Sequence, residues 1–258
     1  MTPNRRRLLL LSSSRTAGTE YLEHARNYLR SFLNARARTL LFVPYARVSS
    51  NYDDYLERVR SNFEVVGYEV VGLHSFGDPT GAINKAEALI VGGGNTFQLL
   101  RELYTNKVIP IIRQRVLAGM PYIGWSAGSI VACPTICTTN DMPVAWPERC
   151  EALNLVPFQI NPHYTDARLP GFQGEARAER LQEFVCANPK VPVVGLREGS
   201  ALRIEGDDIQ LLGLYTARLF SQAASREVSP HESLEFLATD SLESTRPFPG
   251  RARITGSI

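Results

Sequence analysis

Short apolar runs alternate with amphipathic stretches along most of this chain, the rhythm expected of a parallel sheet covered by helices on both faces. Runs at residues 7–12, 39–43, 69–73, 88–91, 122–124, 158–160 and 191–196 predict strands. Between the first two, Leu22, Ala25, Leu29, Phe32 and Leu33 recur at spacings of 3, 4, 3 and 1, which lays one apolar stripe along a helix. Residues 95–117 repeat the helical pattern in two pieces broken at Pro110, and residues 175–186 form a further helix rich in Arg and Glu. After Glu198 the pattern shortens to ALRIEG, DIQLLG and TARLF, which read as antiparallel hairpins at a sheet edge. From about Ser225 the residues turn polar and include Pro230, Pro247 and Pro249. The expected organisation is one α/β domain over residues 1–224, with a loosely held tail over 225–258.

Composition narrows the class. Hydrophobic residues make up 44% and charged residues 21%, the balance of a globular protein. Lys and Arg total 28 against 26 Asp and Glu, a net charge of +2, too near neutral to point to nucleic acid. The N-terminal RRRLLLLSSS places positive charge before leucine, but its four leucines are fewer than the ~7–15 apolar residues of a signal peptide core. No run reaches the ~18 apolar residues of a membrane span. Cys133, Cys137, Cys150 and Cys186 lie 4, 13 and 36 residues apart, which fits neither a zinc site nor a disulfide scaffold and leads us to expect a reduced, cytoplasmic protein.

The chemistry centres on GWSAG, Gly124 to Gly128, which fits the GxSxG pattern of a serine on a sharp turn between strand and helix. A serine needs a base to become a nucleophile. Of the four histidines, His24 sits in an amphipathic helix, His74 ends a short strand and His231 lies in the tail. His163, in FQINPHYTDA, instead follows a predicted strand, with Pro162 holding the backbone out of a regular helix. Sites in open parallel sheets form beyond the carboxyl ends of strands, where Ser126 and His163 both fall. Glu198 and Asp141 are the two candidate acids for orienting the imidazole; Glu198 directly follows a strand, whereas Asp141 lies in an irregular loop and is expected to be a second carboxylate shaping the site. VGGGNTFQLL, Val91 to Leu100, is another strand-to-helix junction at this rim. Without GK[ST] or GxGxxG spacing it suits an oxyanion hole better than a phosphate cradle, through the N–H of Gly93 or Gly94 together with that of Ala127. Asn95 is a candidate for the helix cap and for substrate contact.

With these strings in view, residues 7–220 resemble the peptidase E family, the α-aspartyl dipeptidases of a serine peptidase group that includes cyanophycinase. The resemblance rests on VGGGNTFQLL, YIGWSAGS, ACPT followed by TTNDMP, INPH, and GL followed by EG at Glu198. It implies a three-layer, doubly wound, mostly parallel sheet like that of class I glutamine amidotransferases, with a short antiparallel C-terminal extension. It also implies hydrolysis of Asp-Xaa dipeptides by Ser126 as nucleophile and His163 as base, with either Asp141 or Glu198 as third member. Arg177, in GEAR, matches the family's arginine for the substrate side chain. Such an enzyme would act on a small peptide as a monomer or homodimer, with no metal, cofactor, nucleic acid or membrane. Two departures stand out: Cys137 where the family carries Arg, and Arg197 where it carries Pro.

The sequence also admits two other readings. GxSxG also marks esterases of the α/β-hydrolase type, although a base only 37 residues after the serine is unusually close for that fold. A non-catalytic small-molecule binding protein of the same fold is the second.

Overall fold

Four consecutive leucines, Leu8 to Leu11, are fully buried because the strand they form is covered on both faces. β1 (Arg7–Leu11) runs parallel to β5 (Tyr122–Trp125) on one side and antiparallel to β8 (Ala201–Glu205) on the other. Leu8 and Leu10 enter one apolar cluster and Leu9 and Leu11 another, so the period of two serves both faces of the sheet. Each leucine removed from water in this way contributes about 1.5–3 kcal/mol. The N-terminal run is thus a central strand. The computed structural model describes residues 5–33, 38–48, 51–168, 171, 173–230 and 232–238.

The other strands of this layer are β2 (Thr39–Val43), β3 (Glu69–Gly72), β4 (Leu89–Val91) and β9 (Asp208–Leu212). Together they form a seven-stranded sheet in the order β3-β2-β4-β5-β1-β8-β9, parallel from β3 to β1. Helices α1 (Arg26–Leu33) and α2 (Tyr52–Glu64) bury Leu29, Phe32, Val59 and Phe63 on one face. On the opposite face α4 (Thr96–Thr105) and α5 (Ile109–Leu117) bury Leu99, Leu100, Leu103, Ile112 and Val116. Helix α3 (Pro79–Lys85) adds Ile83 to that side. The break between α4 and α5 falls before Pro110, which takes the first turn of α5, where its missing N–H costs nothing.

The structure departs from the expected single sheet in two places. β6 (Gln159–Pro162) and β7 (Val193–Leu196) pair in parallel in a separate four-stranded sheet of order β11-β10-β7-β6. Of the C-terminal hairpins, only β8 and β9 extend the main sheet; TARLF becomes β10 (Ala217–Phe220), which crosses to pair antiparallel with β7. The expected boundary at residue 224 also shifts. β11 (Ser225–Val228) pairs with β10, and Val228, Leu234 and Leu237 are buried in the main core, so apolar contacts hold the chain through this stretch. His231 and residues 239–258 lie outside the described residues.

Neighbouring strands β2 and β4 send their chains onward to opposite sides, to β3 and β5, and such a divergence opens a crevice at the strand ends. There Asn95 N–H donates to the Ala46 carbonyl at 2.8 Å, and a Cβ on Gly94 would lie 2.4 Å from the same oxygen. With φ of 142°, position 94 requires glycine on both counts.

Candidate active site

Ser126 leaves the end of β5 with φ 52° and ψ −116°, a strained conformation for a residue with a side chain. The bonds around it impose that geometry. Its N–H donates to the Leu11 carbonyl at 3.1 Å, and its carbonyl accepts from the N–H groups of Ser129 and Ile130 as the short helix α6 (Ala127–Ile130) begins. The Ser129 hydroxyl donates to the Leu11 and Gly124 carbonyls at 2.7 and 3.0 Å, bracing the turn from below. Both glycines of GWSAG are packing requirements: a Cβ on Gly128 would lie 2.1 Å from the Val91 carbonyl oxygen, and one on Gly124 would lie 2.4 Å from that of Gly128. The motif lets the helix dock against the sheet and leaves the serine hydroxyl at its top.

His163 follows β6 and also has a positive φ, 54°. Its N–H donates to the Ser12 hydroxyl at 2.9 Å, and that hydroxyl donates to the Leu196 carbonyl at 2.7 Å. Ser12 therefore links the end of β1 to the ends of β6 and β7 and brings the two sheets to a common rim. Across it, His163 Nε2 lies 3.0 Å from Ser126 Oγ, and His163 Nδ1 lies 2.6 Å from Glu198 Oε1. The His163 and Glu198 side chains are 40% and 52% exposed, so the relay opens to solvent on one side, where a small molecule could enter.

Asp141 is elsewhere. Its carboxylate accepts from the Thr96 N–H and hydroxyl at 2.7 and 2.5 Å, at the first turn of α4. An acid there satisfies an unpaired helical donor and meets the positive end of the helix dipole. Asn95 is committed within the protein as well, its Oδ1 capping Gln98 N–H at 3.0 Å and its Nδ2 donating to the Met142 carbonyl at 2.8 Å. The 138–142 loop also grips β6, through Thr138 Oγ1 on the Ile160 carbonyl at 3.0 Å and Asn161 Nδ2 on the Thr138 carbonyl at 2.8 Å. Asn140 Nδ2 adds a 3.3 Å bond to the carbonyl of Pro162, the residue before His163.

Gly93 packs directly beneath the serine: a Cβ there would lie 3.1 Å from Ser126 Cβ and 2.9 Å from Trp125 Cδ1. The Tyr55 hydroxyl donates to its carbonyl at 2.9 Å and accepts from Trp125 Nε1 at 3.3 Å, which fixes the peptide plane. Among the described residues the N–H groups of Gly93, Gly94 and Ala127 donate to no carbonyl. Arg177, at the start of α7 (Arg177–Ala187), is half-buried and donates closely to the His163 carbonyl. Burial, and then neighbouring Arg180, lower its pKa, while Tyr164 and Glu198 oppose the shift. Of the other described histidines, His74 Nε2 lies 2.9 Å from Asp53, and His24 sits on a short 3₁₀ turn, where burial lowers its pKa and Glu198 opposes the shift.

Sequence reasoning missed Ser12, Tyr55 and the role of Arg197. A serine directly after a buried strand was the available signal for Ser12, and the helical spacing of Tyr55, Val59 and Phe63 was the signal for α2. The Arg197 guanidinium lies 5.3 Å from the Tyr164 ring centroid and bonds Thr216, Glu227 and Asp166, tying β7, β10 and β11 to the segment after His163. Hydrogen bonding from Arg197 is the largest cause that holds Glu227 down at about 2, from an ordinary 4.5. A carboxylate depressed in the folded state stabilises it above the unfolded pKa and loses that contribution as pH falls through the folded value. We therefore expect the urea midpoint of the wild type to fall more steeply between pH 5 and 2 than that of Glu227→Gln, the two curves running parallel above pH 5.

The model of peptidase family S51 matches residues 8–212. The chain belongs to that family. Among its relatives, Peptidase E of Nostoc sp. is 48% identical over 233 residues, covering 90% of this chain and 96% of the relative. Peptidase E of Shewanella amazonensis is 49% identical over 220 residues, covering 85% and 93%. The solved structure of a peptidase from an acI-B1 Actinobacterium superposes with a TM-score of 0.67 at 18% identity over 90% of this chain and 97% of that one, a likeness of fold. The family S51 match spans the three segments that carry Ser126, His163 and Glu198, and ends at the last residue of β9.

Proposed function

We propose that this family S51 chain is a serine-type dipeptidase that removes an N-terminal aspartate from Asp-Xaa through an acyl-enzyme on Ser126. The observation that carries the reading is the continuous relay of 3.0 Å from Ser126 Oγ to His163 Nε2 and 2.6 Å from His163 Nδ1 to Glu198. With the Nδ1 proton directed at Glu198, Nε2 is free to accept the serine proton. Oγ then attacks the carbonyl carbon of the substrate aspartate as its proton passes to His163. The oxyanion forms against the N–H groups of Gly93 or Gly94 and Ala127. When the intermediate collapses, the C–N bond breaks and the leaving amine takes the proton from His163. Water, deprotonated by the same imidazole, cleaves the ester and returns the proton to Ser126.

Arg177 is the group we assign to the substrate side chain. One of its nitrogens is engaged at the His163 carbonyl, which aims the planar guanidinium at the rim and leaves further N–H donors for a carboxylate. The choice of carboxylate over amide follows from that charge. In a panel of free and blocked dipeptides, Asp-Leu is expected to be cleaved, with Asn-Leu and acetyl-Asp-Leu poorer by about tenfold or more in kcat/KM. Equal rates on all three would refute the pocket, and activity on p-nitrophenyl acetate far above that on Asp-Leu would favour an esterase.

A further inference from the structure

Cys137 and Cys150 stand at the two ends of the loop that carries Asp141. The backbone pins the base of that loop as a narrow neck: Ile136 N–H donates to the Cys150 carbonyl at 3.0 Å, Ala152 N–H donates to the Pro134 carbonyl at 2.9 Å, and Thr135 and Glu151 form a β-bridge. Both residues are exposed, and partial burial first, then the neighbouring Cys137, push the Cys150 thiol up. The other cysteines differ. Cys133 is fully buried, and Cys186 lies on α7, outside this neck.

The loop between the two thiols is the brace of the candidate site. It ties the first turn of α4, through Asp141 and Thr96, to the end of β6, through Asn140 and the Pro162 carbonyl. A covalent closure of its neck would hold the Gly93–Asn95 side of the rim against the His163 side. Disulfides stabilise by restricting the open chain, and they form readily only where the backbone already brings the two residues together. Here the neck pairs Ile136 with Cys150 and Thr135 with Glu151, which sets Cys137 one residue from the paired positions.

We propose that Cys137 and Cys150 are an oxidative modification site, a dithiol that closes to a reversible intramolecular disulfide across the loop neck. With a low-molecular-weight disulfide as oxidant, one cysteine thiolate attacks a sulfur of the oxidant and expels one thiolate. The second cysteine thiolate then attacks the protein sulfur of that mixed disulfide and expels the other. Two protein thiols lose two electrons and two protons in all, and one small disulfide is reduced to two thiols.

The test treats the full chain with glutathione disulfide, blocks residual thiols, and maps it with trypsin without reduction. Cleavage after Arg115, Arg149 and Arg168 places Cys137 in the peptide 116–149 and Cys150 in 150–168, so a closed disulfide links the two. The linked pair is expected in the wild type and in Cys186→Ser, to disappear on treatment with dithiothreitol, and to be absent in Cys137→Ser and Cys150→Ser, whose remaining thiol should carry glutathione. Both positions are at the surface, so these variants keep the fold. Wild-type protein in which 137 and 150 stay alkylatable, or each carry glutathione with no linked peptides, would overturn the proposal. So would a linked pair that persists in Cys137→Ser, because the bridge would then run from Cys133.

Discussion

Replacing Ser126 with Ala is expected to lower kcat on Asp-Leu by about 10⁴–10⁶-fold while leaving the thermal midpoint nearly unchanged. The change removes one oxygen and little else. The strained backbone at position 126 is dictated by its bonds to Leu11, Ser129 and Ile130, all made by main-chain atoms that alanine keeps. Among the described residues Ser126 Oγ has one side-chain partner, the His163 imidazole, which stays on Glu198 and solvent when the hydroxyl is gone. A chemical role therefore predicts a large kinetic effect with a small stability effect, whereas a structural role predicts the reverse. Steady-state kinetics and a melting curve on the same preparation separate the two. Activity within tenfold of wild type would remove the acyl-enzyme from consideration and favour a binding protein that keeps the fold.

The second large effect concerns the two acids. Glu198→Gln is expected to reduce kcat by about 10²–10⁴-fold, because an amide at 2.6 Å from Nδ1 neither stabilises the imidazolium nor secures the tautomer that leaves Nε2 free. Asp141→Asn should behave differently. That carboxylate meets the Thr96 N–H and hydroxyl at the N-terminus of α4, so losing its charge weakens a cap and costs about 0.5–2 kcal/mol of stability. In a chain of this size that is a drop of roughly 1–8 °C in the melting temperature. Its kcat should stay within about tenfold of wild type, through the brace between α4 and β6. The opposite pattern, with Asp141→Asn inactive and Glu198→Gln active, would transfer the third role to Asp141.

Much of this architecture was legible in the chain. The predicted strands coincide with β1 to β7 to within two residues, because runs buried on both faces carry unbroken apolar character that few other environments require. Helices α2 and α3 went unread, although α2 carries an Asn51 cap and apolar residues at helical spacing; its charged outer face, with Asp53, Asp54, Glu57 and Arg58, masked them. The stretch after Ser225 misled for the opposite reason. It is polar on average, yet Val228, Leu234 and Leu237 suffice to dock it, since what decides burial is which few residues face the core.

Local pattern determined the elements, the glycine-flanked turn at Ser126 and the short roster of residues able to do chemistry, because a serine between glycines and a histidine after a strand are properties of neighbouring residues. Tertiary structure decided which of them meet. The division into two sheets, the Ser12 hydroxyl that joins their rims, and the placement of Glu198 on the imidazole and Asp141 on a helix terminus all depend on segments brought together from distant parts of the chain. Hydrogen bonds of that range are set by how layers pack and strands pair, and the spacing of residues along the chain carries no record of them.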